Sequence, residues 1–118
     1  MEMNEKSSGV VSVLDLKGKL VAGDGTQRLK DKVNSLVFQN RTQIVLNLGG
    51  VSQIDSTGLG EIVACFTTVR RGGGQLKLAN VAKRNQDLLS ITKLATVFET
   101  FDSEDEAVRS FDAIAAGA

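Results

Sequence analysis

The sequence predicts a single α/β domain built on a largely parallel sheet with right-handed crossovers. Its 118 residues fit one compact domain, because two domains sharing that length would each be too small for a stable core. Strand-like runs rich in β-branched residues alternate with segments of helical periodicity. The connections between them are short, as in sheets whose parallel strands are joined by helices.

The first predicted elements are an extended region and a helix. Apolar residues between positions 10 and 22 are interrupted by Lys17-Gly18-Lys19, so this region is predicted to form two extended segments or one bent strand. Cap residues then precede leucine and valine at helical spacing, which predicts a helix over about residues 26–38. Residues 1–9 are polar and are expected to be a flexible extension.

The centre of the chain carries the strongest helix pattern. A nearly continuous apolar run over residues 43–48 predicts a strand covered on both faces, which Gly49-Gly50 is expected to end. After a predicted loop over residues 51–55, apolar residues recur at spacings of three and four as far as Val69. Arg70-Arg71 place positive charge in the last turn of this helix, before the glycines at 72–74.

In the C-terminal third, the apolar pattern predicts a strand over residues 75–79, a helix over 83–93 and a short strand over 96–101. The sequence Ser103-Glu104-Asp105-Glu106 is predicted to cap a final helix. The side chains of that helix expected to face the core are Ala107, Val108, Phe111 and Ile114. The domain is therefore expected to span residues 10–112, with a C-terminal tail over 113–118.

The composition excludes several classes of function. Acidic and basic residues number 14 each and form no long block of one sign, so neither nucleic-acid binding nor membrane insertion is expected. Histidine is absent, which excludes histidine-based catalysis and the common zinc sites, and no cofactor is predicted. The single cysteine, Cys65, lies among apolar helix residues and is interpreted as a packing residue. No apolar stretch resembles a signal peptide or approaches the roughly 20 residues of a membrane span, so a cytoplasmic location is expected.

The segment Asp55-Ser56-Thr57-Gly58-Leu59-Gly60 opens the strongest predicted helix. Aspartate, serine and threonine commonly cap helices, so a Ser56 at or beside the N-cap has an ordinary structural interpretation. Capping does not explain Gly58 and Gly60, because a glycine inside a helix lowers the stability of that helix by about 0.5–1 kcal/mol relative to alanine. A surface kept bare for a partner or a phosphate explains these glycines, as does close helix–sheet packing, and both explanations stay open.

Two further hypotheses concern charged groups near this segment. A serine hydroxyl at a helix N-terminus suits phosphorylation, because a group of about −1.5 to −2 charge meets the positive end of the helix dipole. Asp24 and Asp55 each precede a predicted helix, and such loops gather at the carboxyl edge of a parallel sheet. These two aspartates are either two helix caps or ligands of a shared magnesium ion.

Taken together, these motifs resemble the STAS domain, the family of bacterial anti-sigma factor antagonists and related modules. The segment Val51-Ser52-Gln53-Ile54-Asp55-Ser56-Thr57-Gly58-Leu59 is similar to the family signature almost position by position. Gly18-Lys19-Leu20 resembles an early Gly-x-Leu motif, and Gly73-Gly74-Gln75-Leu76-Lys77-Leu78 resembles the strand after the main helix. Val97-Phe98 and Asp102-Ser103-Glu104-Asp105-Glu106-Ala107 resemble the closing elements, so the likeness covers about residues 10–111.

The resemblance implies a single STAS-like domain with a mixed, largely parallel sheet of four to five strands packed against about four helices. It implies that Ser56 is the phosphoacceptor. The partner-binding residues expected from it are Asp24, Asp55, Ser56, Thr57, Gly58, Leu59 and Gly60. Two departures are a loop before the first helix that is unusually rich in glycine, and Lys93, which stands where the family often has glycine.

The resulting hypothesis is an anti-sigma factor antagonist that is not an enzyme. In the family, an antagonist without phosphate binds its anti-sigma factor, itself a serine kinase, and so releases a sigma factor for transcription. Phosphorylation ends this binding and a serine phosphatase restores it. The alternative hypothesis is a STAS scaffold subunit of a signalling or lipid-transport assembly without reversible phosphorylation. A third is a small hydrolase built on Asp24 and Asp55, which would require a metal ion.

Overall fold

A sheet of five strands forms the centre of the domain. The computed structural model describes the backbone of residues 1–117 and the side chains of these residues except Asp24 and residues 112–117. Strand β1 is antiparallel to β2, and every other neighbouring pair in the order β1-β2-β3-β4-β5 is parallel. The elements in chain order are β1 (Glu2–Ser8), β2 (Val11–Leu20), α1 (Asp24–Phe38), β3 (Gln43–Ile54), α2 (Ser56–Arg71), β4 (Gln75–Ala79), α3 (Lys83–Ile91), a 3₁₀ turn (Leu94–Thr96), β5 (Thr100–Phe101) and α4 (Glu104–Gly117). The predicted α/β class with a mixed, largely parallel sheet is confirmed.

The sheet separates two apolar cores, because successive strand residues point to opposite faces. The larger core lies between one face and helices α1, α2 and α3, where Leu29 and Ile62 meet strand residues such as Leu14. The smaller core lies under α4 and consists of Val11, Val13, Val45, Ala79, Ala107 and Phe111. Ala107 and Phe111 are buried as predicted, whereas the side chain of Ile114 lies outside the described residues.

The N-terminal residues differ from the expected flexible extension. Glu2–Ser8 forms β1 and pairs along its whole length with β2. Glu5 reaches Lys32 of α1 at 2.9 Å, and Lys6 reaches Glu104 of α4 at 2.7 Å, so ion pairs tie β1 to helices on both faces. Most side chains of β1 face solvent, so no apolar alternation marked this edge strand in the sequence.

Strand β3 is longer than predicted, because it continues past Gly49-Gly50 to Ile54. Its second half pairs with the end of β2, where the register between the two strands shifts at two places. At Gly50 a Cβ atom would lie 3.0 Å from the carbonyl oxygen of Leu16. Glycine therefore lets β3 follow the bent part of β2, and the predicted loop over residues 51–55 is mostly strand. The bent single strand expected for residues 10–22 corresponds to β2.

The region between α3 and α4 contains less strand than predicted. Lys93 adopts a left-handed conformation with φ of 63°, which ends α3 and leads into the 3₁₀ turn. Phe98 then turns into the larger core and packs edge-on against Phe66, with ring centres 5.2 Å apart. Only Thr100–Phe101 of the predicted strand pairs with β4, because the preceding residues follow this inward turn.

Helix α4 begins as predicted and continues further. The hydroxyl of Ser103 accepts a hydrogen bond from the Glu106 N–H at 3.1 Å, which confirms the predicted cap. The backbone stays helical to Gly117, where a tail over residues 113–118 was expected. Within the part of the chain that the structure describes, no helix has the length and apolar content needed to cross a membrane.

Lys77 of β4 is buried beneath α4 with only 1% of its surface exposed. Its ammonium group donates to the Ser110 hydroxyl at 2.8 Å and lies 3.5 Å from the Glu99 carboxylate. The same group lies 4.3 Å from the centre of the Phe111 ring. These contacts offset the free energy lost when the charge leaves water, while the aliphatic stem fills space in the smaller core.

We expect Lys77→Met to change the free energy of unfolding by less than about 1.5 kcal/mol, because methionine keeps the stem volume and removes a buried charge. Lys77→Ala should cost about 2–4 kcal/mol, because it leaves a cavity under α4. Urea unfolding of both variants measures the difference. Equal losses in the two variants would show that the ammonium contacts, and not the packed stem, hold α4 on the sheet.

Candidate functional site

Asp55 joins three parts of the fold at the carboxyl edge of the sheet. It is the N-cap of α2, and its Oδ1 accepts a hydrogen bond from the Gly58 N–H at 2.7 Å. Its Oδ2 accepts from the Ala22 N–H, in the loop before α1, at 3.1 Å. The backbone N–H of Asp55 donates to the carbonyl oxygen of Leu20, the last residue of β2, at 3.3 Å. The predicted cap is therefore also a link between two loops.

The same hydrogen bonds make Asp55 a stronger acid than usual. The N–H of Gly58 is the largest cause and the N–H of Ala22 the next, and both hold the pKa of the Asp55 carboxyl below its ordinary value. N–H donors have this effect because they stabilise the charged form of a carboxylate. Asp55 thus contributes a full negative charge beside the start of α2 at neutral pH.

Ser56 and Thr57 are the first two residues of α2, and both are exposed. Neither hydroxyl forms a hydrogen bond to any atom of the residues that the structure describes. The Gly58 N–H in the same turn is already engaged by Asp55. The Ser56 hydroxyl is therefore accessible to another molecule, and its modification would break no contact within the described fold.

The two glycines of the first turns have different surroundings. A Cβ atom on Gly58 would lie 1.9 Å from the carbonyl oxygen of Leu20, so close packing of α2 on β2 explains this glycine. Gly58 and Leu59 are both buried, and their expected part in partner binding stays a prediction. Gly60 is exposed, and an added Cβ atom would meet nothing within 4 Å. Only Gly60 fits the explanation of a bare surface.

Asp24 is the first residue of α1, two positions after the Ala22 whose N–H binds Asp55. Its backbone therefore lies close in sequence to the loop that Asp55 holds, while its side chain is outside the described residues. Among the described residues, no group of three or more potential metal ligands occurs. Both oxygens of Asp55 are engaged by backbone N–H groups, so the shared magnesium site gains no support from the arrangement of Asp55.

Further along α2, Cys65 is buried, and burial together with the nearby charge of Glu61 raises the pKa of its thiol to about 12. The thiol therefore stays protonated, in agreement with its predicted packing role. Burial also raises the pKa of Glu61, which is half-buried on α2, and the charge of Lys30 on α1 opposes that rise.

An open groove of about 470 Å³ adjoins the segment that carries Ser56, and the sequence did not reveal it. Its lining residues are Ile54, Arg84, Asn85, Asp87, Leu88 and Ile91. Ile54 ends β3 immediately before Asp55, and the others lie along α3. One sign of the groove in the sequence is Ile91. This apolar residue lies two positions after the buried Leu89, so the two side chains point to different sides of α3.

Comparison with protein families shows that residues 3–107 match the model of the STAS domain. The chain belongs to the STAS domain family. The match begins within β1 and includes the whole segment that carries Ser56. The family resemblance expected from the sequence is therefore confirmed.

Individual relatives of this STAS chain agree with that result. It is 38% identical over 71 residues to the anti-sigma-B factor antagonist of Bacillus subtilis (strain 168), which covers 60% of this chain and 64% of that protein. It thus spans less than two thirds of the length of this curated relative. A crystal structure of a Thermotoga maritima protein superposes with a TM-score of 0.85 at 25% identity, over 92% of both chains. The Bacillus cell fate determinant SpoIIAA in its phosphorylated form superposes with a TM-score of 0.75 at 20% identity, covering 93% of this chain and 99% of that one.

We expect alanine at the two glycines of α2 to have opposite effects on this STAS chain. Gly58→Ala should lower the free energy of unfolding by at least about 2 kcal/mol, because its methyl group would overlap the Leu20 carbonyl. Gly60→Ala should raise it by about 0.5–1 kcal/mol, because alanine is the better helix former and has open space there. Thermal and urea unfolding of the pair test this. A loss of stability at Gly60→Ala would mean that the open surface is also needed for folding.

The depressed pKa of Asp55 predicts how stability depends on pH. The unfolded chain binds a proton at Asp55 near the ordinary pKa of about 3.9, and the folded chain binds it only at lower pH. The stabilisation is therefore complete above the unfolded value and is lost as pH falls through the folded one. Melting temperatures between about pH 7 and pH 3 should decline more steeply for the wild type than for Asp55→Asn. Asp102→Asn, which removes the carboxylate of an exposed residue after β5, serves as the control and should follow the wild-type curve.

Proposed function

We propose that this protein is an anti-sigma factor antagonist whose binding is controlled by phosphorylation of Ser56. Without phosphate on Ser56, it binds an anti-sigma factor serine kinase in the cytoplasm and so releases a sigma factor for transcription. The observation that carries the proposal is the exposed Ser56 hydroxyl in the first turn of α2, which forms no hydrogen bond to the described residues and lies beside a loop held in place by Asp55. The protein acts as a binding module, and a serine phosphatase returns Ser56 to its free form.

Relatives support this proposal. The similar Bacillus subtilis protein is named an anti-sigma-B factor antagonist, and SpoIIAA is known in both an unphosphorylated and a phosphorylated form. In this chain the order Asp-Ser-Thr-Gly stands at the beginning of a helix, on an α/β sheet that superposes on both forms of SpoIIAA. A phosphorylation switch at Ser56 is consistent with each of these facts.

Electrostatics at the site explains how one phosphate would act. A phosphoserine carries about −1.5 to −2 charge at neutral pH, and here it would join the ionised carboxylate of Asp55. The N-terminus of α2 favours negative charge, so the fold tolerates the group. A partner surface that accepts one carboxylate at this point would instead meet about 2.5 to 3 negative charges, which must be desolvated on contact. The phosphate therefore weakens binding without unfolding the protein.

The proposed contact surface is smaller than the sequence suggested. Asp55, Ser56, Thr57 and Gly60 present accessible atoms at the start of α2, and Gly60 permits close approach of a partner backbone. Gly58 and Leu59 hold the helix in place and take part only through their effect on position. We include Asp24 in this surface because it follows, by two positions, the Ala22 whose N–H binds Asp55.

The direct test is phosphate transfer. The purified protein is incubated with ATP and each purified anti-sigma factor serine kinase encoded in the same genome, and intact mass and phosphopeptide mapping locate the product. One added phosphate on Ser56, and none on the Ser56→Ala variant, is the expected result. Transfer to Thr57, or equal transfer to Ser56→Ala, would contradict it. Stable co-purification without any transfer would favour the scaffold alternative.

Charge substitution gives a further prediction. Ser56→Asp should weaken binding to the kinase, although less than phosphorylation does, because one carboxylate carries about half the charge of a phosphoserine. Ser56→Ala should bind like the wild type, because the hydroxyl makes no contact in the described fold. Both variants should melt within a few degrees of the wild type, since a carboxylate at a helix start gains about 0.3–1 kcal/mol from the dipole. An Asp variant that binds as tightly as the Ala variant would exclude the charge mechanism.

A further inference from the structure

The edge of the sheet opposite Ser56 brings together positive charges that lie far apart in the sequence. Strands β2, β3 and β4 all begin at this edge, because Val11 pairs with Gln43 and Gln43 pairs with Gln75. Helices α1 and α2 end there, so their last residues, the connections after them and the β1–β2 turn form one surface. The side chains that define this surface, called the basal surface below, are Val10, Phe38, Arg41, Arg70 and Arg71.

Hydrogen bonds hold the parts of the basal surface together. The guanidinium group of Arg41 donates to the Ser12 hydroxyl at 2.9 Å and to the Ser7 hydroxyl at 3.0 Å, which ties the connection before β3 to β1 and β2. The Gln75 N–H donates to the carbonyl oxygen of Thr42 at 2.9 Å, which ties the same connection to the start of β4. The acceptors of Arg41 are neutral, so these contacts leave its charge uncompensated.

The positive charge of the basal surface has no negative counterpart among the described side chains. None of its three arginines forms an ion pair within that part of the chain. The segments that build the surface also lack aspartate and glutamate over long ranges, namely residues 6–14, 33–54 and 62–86. A surface with an excess of one charge attracts partners of the opposite charge, so the basal surface favours an anionic partner.

Two apolar side chains project from the same surface. Phe38, the last residue of α1, exposes 93% of its surface, and Val10, in the β1–β2 turn, exposes 69%. A Cβ atom added to Gly9 or Gly73, in the turns of this edge, would meet nothing within 4 Å. The backbone of these turns is thus open, and Phe38 protrudes from the edge instead of filling a pocket of its own chain.

From these observations we propose that the basal surface attaches the protein to an anionic lipid membrane. The arginines bind lipid phosphates, while Phe38 and Val10 enter the boundary between headgroups and acyl chains. The charge selects an anionic partner, and the protruding apolar side chains select a lipid boundary. Nucleic acid fits the surface less well, because bases stack on aromatic rings and offer no apolar layer to Val10. The contact is peripheral and needs no membrane-spanning helix.

This attachment would leave Ser56 accessible. Helix α2 begins at Ser56 and ends at Arg71, and its 16 residues span about 24 Å at the rise of an α-helix. A protein bound through Arg71 therefore presents the start of α2 away from the lipid. The inference uses no property of Ser56 and does not rest on the function proposed above.

The absence of tryptophan from the chain allows a direct test of contact with lipid. Phe38→Trp places a single fluorescent indole on the basal surface. Its emission should shift to shorter wavelength with vesicles of equal parts phosphatidylglycerol and phosphatidylcholine, because the indole leaves water, and should not shift with phosphatidylcholine alone. Ile91→Trp is the matched control, since Ile91 is 80% exposed and lines the groove beside Ile54 at the other edge. Its emission should stay unchanged with both vesicles.

Co-sedimentation with the same vesicles tests the charges. Arg70→Gln combined with Arg71→Gln should lower the partition coefficient about 25-fold, because each basic residue near an anionic surface strengthens binding about fivefold. The control is Lys83→Gln combined with Arg84→Gln, which removes the same charge at the start of α3 and should bind like the wild type. Phe38→Ser should weaken binding about fivefold or more, and raising the salt from about 0.1 M to about 1 M should release the wild type.

Melting temperatures of all variants show that the fold is kept, and Ser56→Asp should bind vesicles like the wild type. Unshifted emission of Phe38→Trp, or wild-type sedimentation of both basal variants, would overturn the proposal. Equal losses in the two double variants would also overturn it, because they would indicate general attraction of cations and not a defined surface. A labelled RNA oligonucleotide is tested in parallel. Its binding by a protein that ignores the vesicles would overturn the lipid assignment in favour of nucleic acid.

Discussion

The hydrogen bonds of Asp55 are the constraint on which the arrangement around the start of α2 depends. One carboxylate caps α2 and also holds the loop before α1, while its backbone N–H binds the last carbonyl of β2. Gly58 permits this arrangement because any side chain there would push α2 away from Leu20. Ser56 is thus positioned entirely by its neighbours. A residue placed in this way is free to change its charge without loosening the structure that presents it.

The sequence predicted the elements whose side chains bury a regular apolar pattern. Helix α2 and strand β4 were located closely because their apolar residues alone encode the packed face. Strand β1 was missed because its stability comes from backbone pairing with β2 and from ion pairs, which leave no periodic signal. The second half of β3 was missed for a related reason. Gly49 and Gly50 suggest the end of a strand, and only the bend in β2 explains why glycine is needed within β3.

The sequence predicted which segment forms the candidate site, but not which residues of that segment are exposed and which pack against the sheet. The order Asp-Ser-Thr-Gly predicted that Ser56 lies at or beside the N-cap, while Asp55 was interpreted as either a helix cap or a magnesium ligand. The distinction between Gly58 and Gly60 depends on the distance to Leu20, which is more than thirty positions away in the chain. Local sequence carries no information on that distance. The groove along α3 was hidden in the same way, since it exists only where β3 and α3 come together.

Strand β1 also affects how the protein behaves among other proteins. Open strand edges invite pairing with other chains, which leads to aggregates. Here β1 covers the long apolar strand β2 and carries Glu5 and Lys6, which oppose the addition of another strand, while β5 at the other edge is only 2 residues long. Across the described residues, the sheet therefore has no long apolar edge to offer. The charged N-terminal strand therefore opposes pairing of the sheet with strands of other chains.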